Sequence, residues 1–246
     1  MLSSILIGAK RAEWLLLLAW ITCSGSRAQD TQFLPEVDAH LALNSSMRVY
    51  LQAKDDREGG DPQQFTFGPS VQFYRKPLVQ LGNAAVFDLD NAKSRLLVLE
   101  SGYRVITAPD TPPKNRAIES VTFRFPLQWR TLLADKNRAD LDWQNGALSW
   151  RYRNKLTLER TFTIRSFHFI PYVAAEPFYE SRYSKWSTTD LYAGSLLPVG
   201  GHAQFDCYYQ HENNTGKSPN QEEEFIGLAL HLYFPRKSPP RNGSAK

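Results

Sequence analysis

The residues best suited to chemistry are three cations that alternate along one stretch of the chain, Arg151, Arg153 and Lys155. Residues two apart in a β-strand point to the same face, so a strand here would present a ladder of positive charge. Such a ladder can line a constriction that selects anions, or it can form salt bridges that fill a small barrel and hold its strand register. The charged residues that we predict to line this interior are Arg138, Asp140, Asp142, Arg151, Arg153, Lys155, Glu159 and Glu176.

The opposite parity of the same stretch is apolar. It carries Leu148, Trp150, Tyr152, Leu156 and Leu158, which gives the stretch a period of two. The alternation is longer, and its polar face more cationic, than is typical of the short strands of soluble sheets. A transmembrane barrel strand explains both features, because it needs about ten residues to cross lipid and alternates an apolar outside with a polar inside.

Similar alternation recurs along the rest of the chain, most clearly at 121–129 and 226–234. Asn145 and Gly146, the favoured pair of a type I′ hairpin, lead directly into the central strand. We count ten to twelve strands, and an even number is required if both chain ends lie on the periplasmic side. The predicted fold is therefore all-β, a closed antiparallel transmembrane β-barrel of about twelve strands, within roughly ten to fourteen. Closure matters because an unpaired sheet edge cannot be satisfied in lipid.

Three segments between the predicted strands are polar. We expect loops at 55–62 and 213–224, and either a strand or a loop at 76–94. Four tryptophans near predicted strand ends suit interfacial girdles better than a soluble core. They are Trp129, Trp143, Trp150 and Trp186.

The first part of the chain has the order of a secretory signal peptide. Lys10 and Arg11 precede the apolar run 14–21, and small residues follow at Ser26 and Ala28. The apolar run is too short to span a bilayer as a helix. We therefore predict a signal peptide at residues 1–28, with export through the Sec pathway.

This signal divides the chain into three predicted parts, which are the signal peptide, a single barrel domain at 29–234 and a basic polar tail at 235–246. Removal of Lys10, Arg11, Arg27 and Glu13 with the signal lowers the net charge from +4 to +2. Cys207 is then the one remaining cysteine, so no intramolecular disulfide can form.

The remaining residues give little indication of an enzyme. Five histidines are available to a hydrolase, but the sequence has no Gly-x-Ser-x-Gly elbow and no clear metal-ligand spacing. They are His40, His168, His202, His211 and His231. We predict no catalytic residue, no metal site and no cofactor. An outer-membrane lipid hydrolase or deacylase stays open as an alternative, and so does a soluble exported β-barrel or sandwich carrier.

Several motifs together resemble an uncharacterised bacterial family known as DUF twenty-four-ninety. They are 135–138, 151–155, 158–160, 171–172, 175–176, 178–179 and the ending 226–234. The resemblance covers most of the mature chain and implies an outer-membrane β-barrel of a Gram-negative bacterium. It brings no established activity, ligand or catalytic residue.

These features predict the partners of the protein in general terms. Outer-membrane lipid would surround the barrel, and the barrel-assembly machinery would recognise the last strand, which is amphipathic and ends on Phe234. The chain has no clustered basic patch with interleaved aromatics, so we predict no binding to nucleic acid. The sequence does not identify a solute or a protein partner.

Overall fold

A computed structural model describes residues 31–58, 60–74, 95–216 and 218–235. The predicted signal peptide at 1–28, the ambiguous segment at 76–94 and the tail after Pro235 lie outside the described residues. All regular elements in the described ranges are strands. None of these residues belongs to a helix long and apolar enough to cross a membrane.

The strands are long, mostly between eleven and seventeen residues. They are β1 (Gln32–Ala42), β2 (Met47–Glu58), β3 (Asp61–Tyr74), β4 (Leu97–Ala108), β5 (Thr111–Leu127), β6 (Thr131–Gln144), β7 (Ala147–Arg160), β8 (Phe162–Ile164), β9 (Phe167–Glu180), β10 (Lys185–Val199), β11 (Ala203–Asn214) and β12 (Gln221–Phe234). Most exceed the typical length of strands in soluble sheets.

The strands form a closed barrel. Consecutive strands pair with each other except at β8. This three-residue strand pairs only with β9, and β7 pairs with β9 instead of with β8. The ring closes where β12 pairs with β1, from Gln32 opposite Phe225 to Leu41 opposite Phe234. In the part of the chain that the structure describes, eleven strands therefore enclose the lumen and one lies beside them. The predicted all-β closed barrel of about twelve strands is confirmed.

The closing pair is parallel, whereas all other pairs are antiparallel. Strands alternate in direction along an up-and-down chain, so the first and the eleventh strand of the ring must point the same way. The first strand therefore starts at one end of the barrel and the last strand finishes at the other end, and the described residues do not form the even number of ring strands expected for a chain that starts and ends on one side. The barrel has a Gln32 end, with a turn at 145–146, and a Phe234 end, with turns at 43–46 and 128–130.

Strands extend into both segments that were expected to be loops. In the segment 55–62, β2 continues to Glu58 and β3 begins at Asp61. In the segment 213–224, β11 continues to Asn214 and β12 begins at Gln221. Charged residues near the strand ends pair with each other, as Lys54 Nζ does with Asp56 Oδ1 at 3.1 Å. Polar composition alone is thus a poor indicator of where these strands end.

The predicted turn between β6 and β7 is confirmed. Asn145 and Gly146 have φ angles of 52° and 76°. Positive φ at both central residues defines the type I′ turn, whose twist matches that of the flanking strands. This turn fixes the register in which β6 and β7 face each other.

The two faces of the barrel wall differ sharply. Large apolar side chains cover the outside, where Leu148 is 60% exposed and Ile226 is 54% exposed. Charged side chains fill the inside, where Asp140 is 0% exposed and Arg104 is 2% exposed. This is the reverse of a soluble protein, and it is the orientation predicted from the strand parity.

A small polar patch interrupts the apolar exterior midway along β6 and β7. Asn154 Nδ2 donates to Asp135 Oδ1 at 2.7 Å and to Asn137 Oδ1 at 3.0 Å. Asn137 Nδ2 also donates to Asp135 Oδ1, at 3.2 Å. These side chains satisfy one another, which lowers the cost of placing them on an apolar surface.

Candidate functional site

The register of three neighbouring strands gathers the inward charges on one side of the lumen. Across β5 and β6, Arg116 faces Asp142. Across β6 and β7, Asp140 faces Arg151 and Arg138 faces Arg153. Directly opposed side chains in an antiparallel pair lie close enough to interact, so the pairing places cations and carboxylates side by side.

Asp140 is the centre of this arrangement. Its Oδ1 accepts a hydrogen bond from Arg138 Nε at 2.6 Å, and its Oδ2 accepts one from Arg151 Nε at 2.8 Å. The Nη1 atoms of Arg116 and Arg153 lie 3.8 and 3.9 Å from Oδ2. One fully buried carboxylate thus neutralises part of the charge of four guanidinium groups.

Two further carboxylates extend the network on either side. Asp142 accepts from Arg116 Nε at 2.6 Å and from Arg116 Nη2 at 2.8 Å, which is the bidentate geometry that guanidinium favours. Glu176 on β9 accepts from Arg153 Nε at 2.8 Å, and Lys155 Nζ lies 3.9 Å away. Together with Lys114, which lies 3.9 Å from Asp142, the network has six cations and three carboxylates and a net charge of +3.

Aromatic rings support the cations of this network. The Arg153 guanidinium lies 4.4 Å from the centroid of the Phe178 ring, and the Lys155 ammonium lies 3.5 Å from that of Tyr192. Tyr192 also donates its hydroxyl to Glu176 Oε2 at 3.1 Å. The charged side chains are therefore held in fixed positions by packing as well as by ion pairs.

Acidic residues occupy the opposite side of the lumen. They are Glu36 on β1, Asp56 on β2, Asp190 on β10, and Asp206 and Glu212 on β11. Several accept hydrogen bonds from neutral groups, such as Asp206 from the Tyr172 hydroxyl at 2.9 Å and Asp190 from Gln210 Nε2 at 2.9 Å. We call these residues the acidic wall. The cationic wall comprises Arg116, Lys136, Arg138, Arg151, Arg153 and Lys155.

A cavity of ≈ 440 Å³ lies between the two walls. Seven Lys and Arg side chains and six carboxylates line it. Six of the seven cations belong to the cationic wall and five of the six carboxylates to the acidic wall, so an electric field runs across the lumen while the cavity as a whole carries little net charge. Such a space suits water and small ions, whose charges can lie against the matching wall.

The structure brings together seven of the eight residues that the sequence predicted for the interior. Glu159 lies apart, buried near the Phe234 end of β7, where it stands opposite Leu132 of β6. Sequence reasoning missed Arg116, because it began the strand at residue 121. Extension of the same parity backward from Thr122 and Arg124 would have reached it.

The histidines bear on the alternative of a lipid hydrolase. His168 Nδ1 lies 3.2 Å from the hydroxyl of Thr163, and His211 Nδ1 lies 3.7 Å from Glu224. These two pairs occupy different hairpins. Glu224 also accepts a hydrogen bond from the Tyr209 hydroxyl. Neither pair includes a serine, which is the nucleophile of the common catalytic triad.

Comparisons with known proteins do not assign the chain to a family. No family model matches it, and no curated protein or solved structure gives a significant match. The fold and the lumen nevertheless define a structural class, which is a closed β-barrel with an apolar exterior and a charged interior.

Proposed function

We propose that the protein is an outer-membrane β-barrel of a Gram-negative bacterium, exported through the Sec pathway, whose charged lumen forms a narrow pore for small ions. The observation that carries the proposal is the reversal of burial across the barrel wall. Large apolar side chains face outward on the strands, and charged ones face inward. Exposure of so large an apolar surface to water is unfavourable, whereas contact of the same surface with lipid is favourable.

The positions of the tryptophans support the same placement. Trp143, Trp150 and Trp186 lie within a few residues of the turns at the Gln32 end, and Trp129 lies in a turn at the Phe234 end. Trp129 is 77% exposed. Aromatic side chains favour the two interfaces of a membrane, so these residues would mark its two borders.

The last strand supports recognition by the barrel-assembly machinery. The outward side chains of β12 are apolar at every second position from Ile226 to Phe234, and several of them are strongly exposed. The resemblance to the DUF twenty-four-ninety family points to the same location. In this proposal β12 first guides assembly and then closes the ring against β1.

Membrane placement predicts opposite effects of charge on the two faces. Phe123→Arg and Leu156→Arg each place a cation on the outer wall, and we expect loss of assembled protein from outer membranes because a lipid-facing cation costs about 2–4 kcal/mol. Arg153→Ala should assemble normally, since Glu176 keeps Lys155 and Asp140 keeps three arginines. Immunoblots of washed outer membranes measure the amount assembled. Phe123→Leu is the control, and equal amounts of all variants would contradict the orientation.

The pore itself is tested by conductance in a planar bilayer. We expect small channels with weak ion selectivity, because the charges that line the lumen nearly balance. Lys155→Gln should shift permeability toward cations and Glu212→Gln toward anions, because both residues line the cavity. Lys185 is not among the residues that line the cavity, so Lys185→Gln should leave the permeability unchanged. Purified barrel that inserts without conductance would contradict the pore and favour a structural scaffold.

A further inference from the structure

Three potential metal ligands meet on the inner wall where the barrel closes. Asp38 and His40 are two residues apart on β1, so both point inward, and His231 lies directly opposite Asp38 on β12. One ligand atom from each of these residues lies within 4.8 Å of the other two. Parallel pairing of the first and last strands therefore assembles a group that comes from opposite ends of the sequence.

His40 is held rigidly and lacks a partner at one ring nitrogen. Its ring is stacked between Tyr50 and Tyr233, with centroid distances of 4.8 and 4.9 Å and an angle of 11° in each case. The side chain is 8% exposed, and its Nδ1 is buried without a hydrogen-bond partner. A buried polar atom in this state costs free energy, and a bound ion would remove that cost.

Asp38 is already oriented for a ligand. It is 4% exposed, and its Oδ1 accepts a hydrogen bond from the Tyr50 hydroxyl at 3.0 Å. Its Oδ2 lies 2.9 Å from His231 Nδ1. A hydrogen bond to one oxygen, which leaves the other for the metal, is the usual support of a carboxylate ligand.

We propose that Asp38, His40 and His231 bind a divalent transition-metal ion such as Zn²⁺. Two imidazoles and one carboxylate form a donor set that Zn²⁺ and similar ions favour. Ligand atoms about 2.0–2.2 Å from an ion lie about 3.0–3.5 Å from each other. The 2.9 Å between Asp38 Oδ2 and His231 Nδ1 is just below this range. His40 would approach by about 1–2 Å, and the ion would replace the proton between Asp38 and His231.

The position of the group gives this ion an entry path and a structural role. His231 lines the lumen cavity, so water or a solute can reach the remaining coordination position. Two ligands lie on β1 and one on β12, so the ion would link the strands that close the barrel. Binding to the closed form alone stabilises it, with an effect that rises with ion concentration. This inference does not depend on conduction through the lumen.

The test uses the full-length protein refolded in detergent, stripped with a chelator and titrated with Zn²⁺ alone. Calorimetry should give one ion per chain, and the temperature at which the folded band disappears from gels should rise. Asp38→Asn keeps the shape of the side chain and an acceptor for Tyr50, and His231→Gln keeps a polar side chain at that position. Each should weaken binding about 100-fold or more and remove the thermal shift.

His168→Ala is the matched control, because His168 lies on β9, which does not pair with β1 or β12, and should leave binding unchanged. Failure of the parent protein to bind would overturn the proposal. Unchanged binding in both Asp38→Asn and His231→Gln would do the same, as would an equal loss in His168→Ala. Since both ligand variants are compared as folded bands on gels, a folding defect is distinguishable from loss of the ion.

Discussion

Asp140 concentrates the electrostatics of the lumen in one side chain. Four guanidinium groups surround it, and no part of it is exposed to solvent. Buried ion pairs contribute modestly as a whole, but removal of one partner leaves the others uncompensated. The stability of the cationic wall therefore depends on this carboxylate more than on any single arginine around it.

Substitution at this position should be costly. We expect Asp140→Ala to lower the free energy of unfolding by about 3–5 kcal/mol, because four arginines lose their shared partner. Urea unfolding of the barrel in lipid vesicles measures this value. Asp61→Ala removes an exposed carboxylate at the start of β3 and should change it by less than about 0.5 kcal/mol. A similar loss of unfolding free energy in both variants would show that Asp140 contributes no more to stability than an exposed carboxylate does.

The sequence located most of these residues because parity alone decides which face a strand residue occupies. Arg151, Arg153 and Lys155 had to point the same way, and the turn at 145–146 set β6 opposite them. The metal-ligating group could not be found by this logic. The contact between Asp38 and His231 depends on which strand closes the ring, and local periodicity contains no information about closure.

Glycines within the strands of the barrel wall make room for large inward side chains. A β-carbon added at Gly227 of β12 would overlap the ring of Tyr208, which lies directly opposite on β11. A similar arrangement occurs on β10, where Gly194 lies under the ring of Tyr172 and against the β-carbon of Tyr208. A tyrosine side chain that packs over a glycine on the neighbouring strand fills the lumen and leaves no gap in the barrel wall.

Gly227→Ala should therefore destabilise the barrel. The added methyl group forces Tyr208 from its position, and overpacking of this kind costs about 1–3 kcal/mol. The midpoint of urea unfolding reports the effect. Gly201→Ala is the matched control, since no described atom lies within 4 Å of a β-carbon built there. Equal stability of the two variants would contradict the packing described for Tyr208.

Strands were predicted well and loops poorly for the same physical reason. Alternation identifies a strand wherever one face is apolar, as at 121–127 and 147–160. At the Gln32 end both faces of some strands become polar, as at 55–58 and 221–224, and the alternation disappears although the backbone pairing continues. The charges of the segment 55–62 give no alternation to follow, so the sequence predicts a loop there.

The whole barrel is closed by the parallel pairing of β1 with β12, which we call the seam. Ala39 lies opposite Leu232, and both side chains point outward. In a Cys207→Ser background, Ala39→Cys with Leu232→Cys should form a disulfide, because paired residues in adjacent strands lie within reach of one. Altered gel mobility without reductant reports the bond. Ala39→Cys with Ile226→Cys lies out of register and should not react, and the opposite result would contradict the seam.

In the proposed function, the closed barrel lies in the outer membrane with its apolar face in lipid. The gel mobility of the protein from washed outer membranes, with and without boiling, tests this placement. We expect the unboiled protein to migrate faster than the boiled protein, because the closed barrel stays compact in detergent. Protein found in the soluble periplasmic fraction, with the same mobility before and after boiling, would contradict the placement of the barrel in the outer membrane.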